Sequence, residues 1–106
     1  MKHEVVTVVR IYVRETEKLL EKVVTYLRDD SQIQGLTVFA GIEGFAEDHH
    51  LRTASLLDLS LDLPQIIEFY DTPERVDIVL NSLLRRFPLA HVIRWQAERL
   101  IASASP

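Results

Sequence analysis

Residues 35–45, with the sequence GLTVFAGIEGF, contain all three glycines of the chain. The run from Leu36 to Ile42 is apolar on both faces of an extended strand, which predicts a central strand of a sheet. Gly41 and Gly44 follow, and glycine there favours a bulge or tight turn because it tolerates positive φ. Two residues without side chains also let a ligand approach the backbone closely. At the end of this strand we therefore expect both a bulge or tight turn and a backbone surface that a ligand can approach closely.

The segments on either side alternate between strand and helix patterns. Residues 5–13 have β-branched residues at a period of two, which predicts a first strand. Apolar residues from Thr16 to about Asp30 recur at helical spacing. Leucines alternate with polar residues over 57–63, Pro64 interrupts them, and 65–70 form the next predicted strand.

A second helix begins at a clear capping signal. Thr72 is a good N-cap, Pro73 suits the first helical position, and Glu74 complements the helix dipole. Pro88 ends the helix, and alternation over 89–97 predicts a last strand. The predicted buried stripe consists of Val76, Val79, Leu80, Leu83, Leu84 and Phe87.

The resulting order is β-α-β-β-α-β, an α+β ferredoxin-like sandwich with an antiparallel sheet and both helices on one face. We expect one domain over residues 1–101 and a frayed tail over 102–106. The other sheet face is then too apolar to stay exposed, so an oligomer or a ligand should cover it. We assign to this face Val6, Val8, Tyr12, Ala90 and Val92, and place His91 with Leu89 and Ile93 on the buried face.

Composition excludes several functional classes. The chain has 106 residues and no cysteine, which rules out disulfide scaffolds, cysteine-bound metals and thiol catalysis. A net charge of −4 argues against binding to nucleic acid or to an anionic membrane. The N-terminus has no signal-peptide pattern and no apolar run is long enough to span a membrane, so we expect a soluble cytoplasmic protein without membrane insertion.

The glycine-bearing segment 35–45 resembles the signature of a PII-like family of unknown function, the domain of unknown function numbered 190. The resemblance continues through residues 51–54, 62–64 and 66–68 to 71–75, and residues 10–13 are similar to the family's first strand. It implies a fold like that of PII signalling proteins, which form trimers, bind adenine nucleotides between subunits, and contact partners through the loop after the second strand. Relatives are often encoded near fluoride-channel-type proteins, which implies regulatory contact with a membrane transport or channel protein.

Three departures from the family pattern bear on the ligand. Ala46 replaces a usual glycine, and the glycine common after the first strand is missing. Residues 85–90 contain no glycine, so the backbone phosphate cradle of PII proteins cannot form in the same way. We therefore expect no cofactor, and weak or absent binding of adenine nucleotides such as ATP.

The predicted ligand site lies at the end of the second strand. Arg52 supplies charge as an anion clamp, and 46–52 form a polar, mobile loop. A solvated loop pair is the alternative interpretation of Glu43 and Arg52. The predicted ligand-binding residues are Thr37, Gly41, Glu43, Gly44, Phe45 and Arg52.

Other patterns give weaker indications. Asp48, His49 and His50 are adjacent on a loop and lack the spacing of metal ligands, so we predict no metal site. Arg85 and Arg86 suit the negative end of the second helix. Since no nucleophile or paired-carboxylate motif is present, we predict that the protein is not an enzyme. The family resemblance implies a trimeric regulatory or binding protein with its ligand at subunit clefts. The alternatives are a small ferredoxin-like enzyme, such as a cofactor-free monooxygenase, and an RNA-binding module that uses Tyr12 and Tyr70.

Overall fold

The computed structural model describes residues 1–44, 52–53 and 63–102. The predicted strand-like alternation at 57–62 and most of the predicted tail lie outside the described residues. Within the described ranges, no helix is both long and apolar enough to cross a membrane.

Four strands form an antiparallel sheet in the order β2-β5-β1-β6, and two short strands, β3 and β4, form a separate ribbon. The β-α-β-β-α-β order is confirmed, with the ribbon inserted between β2 and β5. Among the described residues β2 is an edge strand, so the prediction that it is central was wrong. The strands are β1 (Lys2–Arg14), β2 (Gly35–Ala40), β3 (Glu43–Gly44), β4 (Arg52–Thr53), β5 (Pro64–Asp71) and β6 (His91–Ile101).

The first helical region is broken where the sequence predicts one helix. A 3-10 turn over Glu15–Glu17 ends at Lys18, which has a left-handed φ of 56°. The α-helix α1 (Leu20–Thr25) follows and continues as a π-helical turn over Tyr26–Ser31. The apolar spacing is nevertheless right, since Leu19, Val23 and Leu27 are buried at intervals of one turn.

The second helix, α2 (Pro73–Arg86), begins as predicted. The Thr72 hydroxyl accepts a hydrogen bond from the Arg75 N–H at 3.4 Å, and Pro73 occupies the first helical position. Val76, Val79, Leu80 and Leu83 are buried, whereas Leu84 is 51% exposed and does not belong to the buried stripe.

Both helical regions cover the same face of the sheet. Val9, Ile11 and Val13 of β1 point to this face, as do Ile67 and Phe69 of β5. Asp71, at the end of β5, is the one fully buried ionisable side chain among the described residues. The core is therefore a single apolar layer between helices and sheet.

The face assignment of the last strand was wrong. Val92 pairs with Ile11 and packs against the core, and Ala90 precedes β6. His91 pairs with Tyr12 and is exposed on the opposite face. The alternation was detected correctly, but its apolar residues Ile93 and Trp95 point away from the helices. The next three residues on the helix side of β6, Arg94, Gln96 and Glu98, are polar, and Arg94 bonds Asp77 of α2 at 2.6 Å.

Asp71 joins four parts of the chain. Its carboxylate accepts hydrogen bonds from the Thr72 N–H at 2.7 Å, the Gln34 N–H at 3.1 Å and the Arg75 Nε at 3.3 Å. Arg75 in turn donates to the carbonyl oxygens of Ser31 and Gln32, at the end of the π-helical turn. The network thus ties the end of the first helical region and the start of β2 to the junction between β5 and α2.

We expect Asp71→Asn to lower the free energy of unfolding by about 3 kcal/mol, because buried N–H donors lose a charged acceptor. Urea denaturation measures this change. Asp77→Asn is the matched control, since Asp77 is exposed and makes a surface ion pair, and it should change stability by less than about 0.5 kcal/mol. Equal losses in the two variants would contradict the role assigned to the Asp71 network.

Candidate functional site

The end of β2 is fixed against the start of β5 by Gly41. Its N–H donates to the Pro64 carbonyl at 2.8 Å, and a Cβ built on Gly41 would lie 2.6 Å from Pro64 Cγ. Neither Gly35 nor Gly41 has a positive φ, so the expectation of a left-handed glycine at Gly41 was wrong. Close packing on Pro64 explains why this position lacks a side chain.

The β3–β4 ribbon begins two residues after Gly41. Gly44 pairs with Arg52, and Glu43 pairs with Thr53. The ribbon brings the backbones of Glu43, Gly44 and Arg52 together at one place, shortly after the end of β2. Phe45 and the Asp48-His49-His50 sequence lie outside the described residues. We call residues 41–44 and 52–53 the loop base.

Thr37 is not part of the loop base. It lies within β2 opposite Glu68 of β5, on the sheet face that the helices leave uncovered. We call this surface the open face. On β1 it carries Val6, Val8, Arg10 and Tyr12, and the paired residues of β5 and β6 include Ile66, Glu68, Tyr70, Ile93, Trp95 and Ala97.

Arg10 occupies the middle of the open face. Its Nε donates to Glu68 Oε1 at 2.7 Å, and this bond raises the pKa of Arg10 above its ordinary value. The guanidinium carbon lies 5.5 Å from the centroid of the Trp95 ring and 6.0 Å from that of Phe39, within cation–π range of both. We call Arg10, Glu68, Phe39 and Trp95 the Arg10 cluster.

The cluster is only half-covered in a single chain. The side chains of Arg10 and Glu68 are 38% and 27% exposed, and Phe39 and Trp95 are 43% and 40% exposed. In the described part of the open face between Val6 and Tyr12, Arg10 and Glu68 are the only guanidinium and carboxylate. The open face thus presents an ion pair flanked by two partly exposed aromatic rings.

The sequence interpretation missed the Arg10 cluster, although a signal was present. Arg10 is the only charged residue in the strand pattern 5–13, and Glu68 is the only one in 65–70. Both were placed on the correct strands, but only the register of β1 against β5 shows that the two are directly opposite.

The arginines at the end of α2 are engaged on the helix side. Arg86 lies with its guanidinium carbon 4.6 Å from the centroid of the Tyr26 ring. The Tyr26 hydroxyl bonds Ser82 at 2.5 Å, and that bond lowers the pKa of Tyr26. An open groove of about 470 Å³ runs past Tyr26, Arg86 and Phe87. Arg85 donates to the Asn81 carbonyl at 3.2 Å, as expected for a cation in a last helical turn.

In the described ranges no group of three or more His, Asp or Glu side chains is arranged to hold a metal ion. The prediction of no metal site at 48–50 stays a prediction, since these residues lie outside the described ones.

Solved structures with a similar fold include PII-like proteins. CPII of Thiomonas intermedia K12, solved with ADP and bicarbonate, has a TM-score of 0.64 at 18% identity, over 92% of this chain and 89% of that one. A putative PII-like signaling protein of Thermus thermophilus has a TM-score of 0.62 at 16% identity, over 93% and 91%. The divalent ion tolerance protein CutA1 of Ehrlichia chaffeensis has a TM-score of 0.60 at 11% identity, over 93% and 85%.

The family comparison agrees with the fold. Residues 6–99 match the model of the DUF190 family, described as "Uncharacterized ACR". This range includes the loop base and the Arg10 cluster. The chain therefore belongs to the DUF190 family and has the fold of PII-like proteins.

Proposed function

We propose that this protein is a PII-like regulatory protein that binds a small anion at the loop base and signals through residues 46–52. The observation that carries the proposal is the pairing of Gly44 with Arg52, directly after the contact between Gly41 and Pro64. This pairing places Arg52 opposite Gly44, a residue that has no side chain. A ligand that altered the conformation of the ribbon would also alter the conformation of the loop, because the ribbon holds the two ends of the loop together.

An arginine paired with a glycine in the ribbon favours an anionic ligand. Arginine offers a planar fork of N–H donors that matches a carboxylate or a phosphate. A structure of CPII, which has a similar fold, contains ADP, AMP and bicarbonate. These molecules supply the first ligands to test on this chain.

The residues that connect α2 to β6 make a small anion a better candidate ligand than ATP. This connection contains no glycine, Phe87 is extended with φ −128°, and the Leu89 N–H donates to the Phe87 carbonyl. A backbone nest that binds phosphate needs successive N–H groups without other acceptors, and the Leu89 N–H already has the Phe87 carbonyl as its acceptor. We therefore favour bicarbonate or another small anion.

A regulatory role is also more consistent with the core than catalysis is. An enzyme that used the space between helices and sheet would need polar groups there, and the described core is apolar. Asp71 is buried, but its carboxylate is bound by backbone and side-chain donors of the fold. A PII-like role further includes cytoplasmic location and regulatory contact with a membrane transport or channel protein.

We infer that three copies assemble with their open faces inward. Phe39, Ile93 and Trp95 are each at least 40% exposed on this face, and hydrophobic burial on association would remove them from water. In such an assembly we expect the loop base of one chain to lie at a cleft beside the neighbouring chain.

Sedimentation equilibrium at micromolar concentration should give three times the mass of one chain. Ile93→Asp should shift the protein toward monomer, because a charge would be buried in the apolar interface. Ile78→Asp, on the exposed side of α2, is the control and should leave the mass unchanged. A monomeric wild type at these concentrations would contradict the proposed assembly.

Isothermal titration calorimetry with bicarbonate, AMP, ADP and ATP tests the ligand site. We expect bicarbonate binding that Arg52→Ala weakens by about 1.5–3 kcal/mol, the range for a hydrogen bond to a charged group. Arg28→Ala is the control, since Arg28 is exposed and pairs with Asp29 on the first helical region. Unchanged affinity in Arg52→Ala would remove Arg52 from the site, and tight ATP binding would contradict the preference for small anions.

A further inference from the structure

The Arg10 cluster is the most unusual feature of the open face. An arginine in the centre of a strand that must become buried is costly unless its charge is paired and its donors are bonded. Here Glu68 supplies the opposite charge from the neighbouring strand, and two aromatic rings flank the guanidinium. The pair is already formed within one chain.

We propose that the Arg10–Glu68 pair determines how copies of this chain associate through their open faces. This inference rests on the proposed assembly and adds the residues that select the arrangement. An apolar face alone tolerates several stacking angles and copy numbers, because hydrophobic contact has no direction. A charged pair in its middle restricts association to arrangements that keep both charges satisfied.

The charges on the open face favour a second copy over other partners. Arg10 is neutralised by Glu68, and farther along β1 Glu4 is paired with Arg99 at 3.3 Å. Since these charges are paired within each chain, the surface has no excess of one sign that would keep two copies apart. A single-stranded nucleic acid would instead require an excess of cations around the aromatic residues.

The aromatic rings give the pair a fixed geometry. Phe39 lies on β2 and Trp95 on β6, at opposite edges of the described sheet, and Arg10 on β1 reaches both. A lysine would keep the charge but lose the planar stacking and the donor fork. Arg10→Lys thus separates the requirement for charge from the requirement for shape.

Sedimentation velocity and native mass spectrometry of matched variants test the inference. We expect Arg10→Met to raise the dissociation constant of the assembly at least tenfold, because Glu68 is left without its partner in the interface. Arg10→Lys should lie between wild type and Arg10→Met. The double variant Arg10→Met/Glu68→Met should associate again, but as a mixture of sizes, since the selecting charges are gone. Arg28→Met is the control, because it removes a comparable ion pair at 2.8 Å outside the open face.

The outcomes distinguish the inference from the proposed assembly. A wild type that is monomeric would overturn the assembly, and with it the inference. A wild-type oligomer with unchanged stability and size in Arg10→Met, or one discrete size in the double variant, would overturn the inference alone. Circular dichroism verifies that each variant is folded. Binding of a fluorescent single-stranded oligouridine by wild-type monomer, lost in Arg10→Met, would assign the face to RNA and also overturn the inference.

Discussion

The helices of this protein cover one face of a four-stranded sheet, and the other face has no cover within the described chain. This constraint explains why β1 is apolar on both sides, with Val9 and Ile11 in the core and Val8 and Tyr12 on the open face. It also explains the placement of Arg10 and Glu68, which interrupt the apolar surface as a pair and not as separate charges. One side of the sheet forms the core of the chain, and the other is the face through which we propose that copies associate.

Two local contacts position the loop base relative to this sheet. Packing of Gly41 on Pro64 joins the end of β2 to the start of β5, and the Leu63 carbonyl accepts from the Glu15 N–H at 3.1 Å. At the other end of β5, the Asp71 network fixes the start of α2. The loop base is thus attached to the sheet by backbone contacts at the end of β2 and the start of β5.

Much of the fold follows from local patterns in the sequence. The order of elements and the Thr72 cap follow from periodicity and capping chemistry, which act over a few residues. The face of β6 and the edge position of β2 do not, because they depend on register and strand order between distant segments. Gly44 and Arg52 were predicted as one ligand site from their residue types, a glycine that admits a ligand to the backbone and an arginine that binds an anion. The Arg10 cluster was missed because it joins residues of four strands.

Trp95 is the only tryptophan of the chain and lies in the Arg10 cluster, so its fluorescence reports directly on the open face. Acrylamide quenching should be measured at a concentration where the protein sediments as an oligomer, and again after dilution to monomer. The account predicts that Trp95 is shielded in the oligomer and becomes several-fold easier to quench on dilution. Equal quenching of oligomer and monomer would show that copies associate through another surface and would contradict the account.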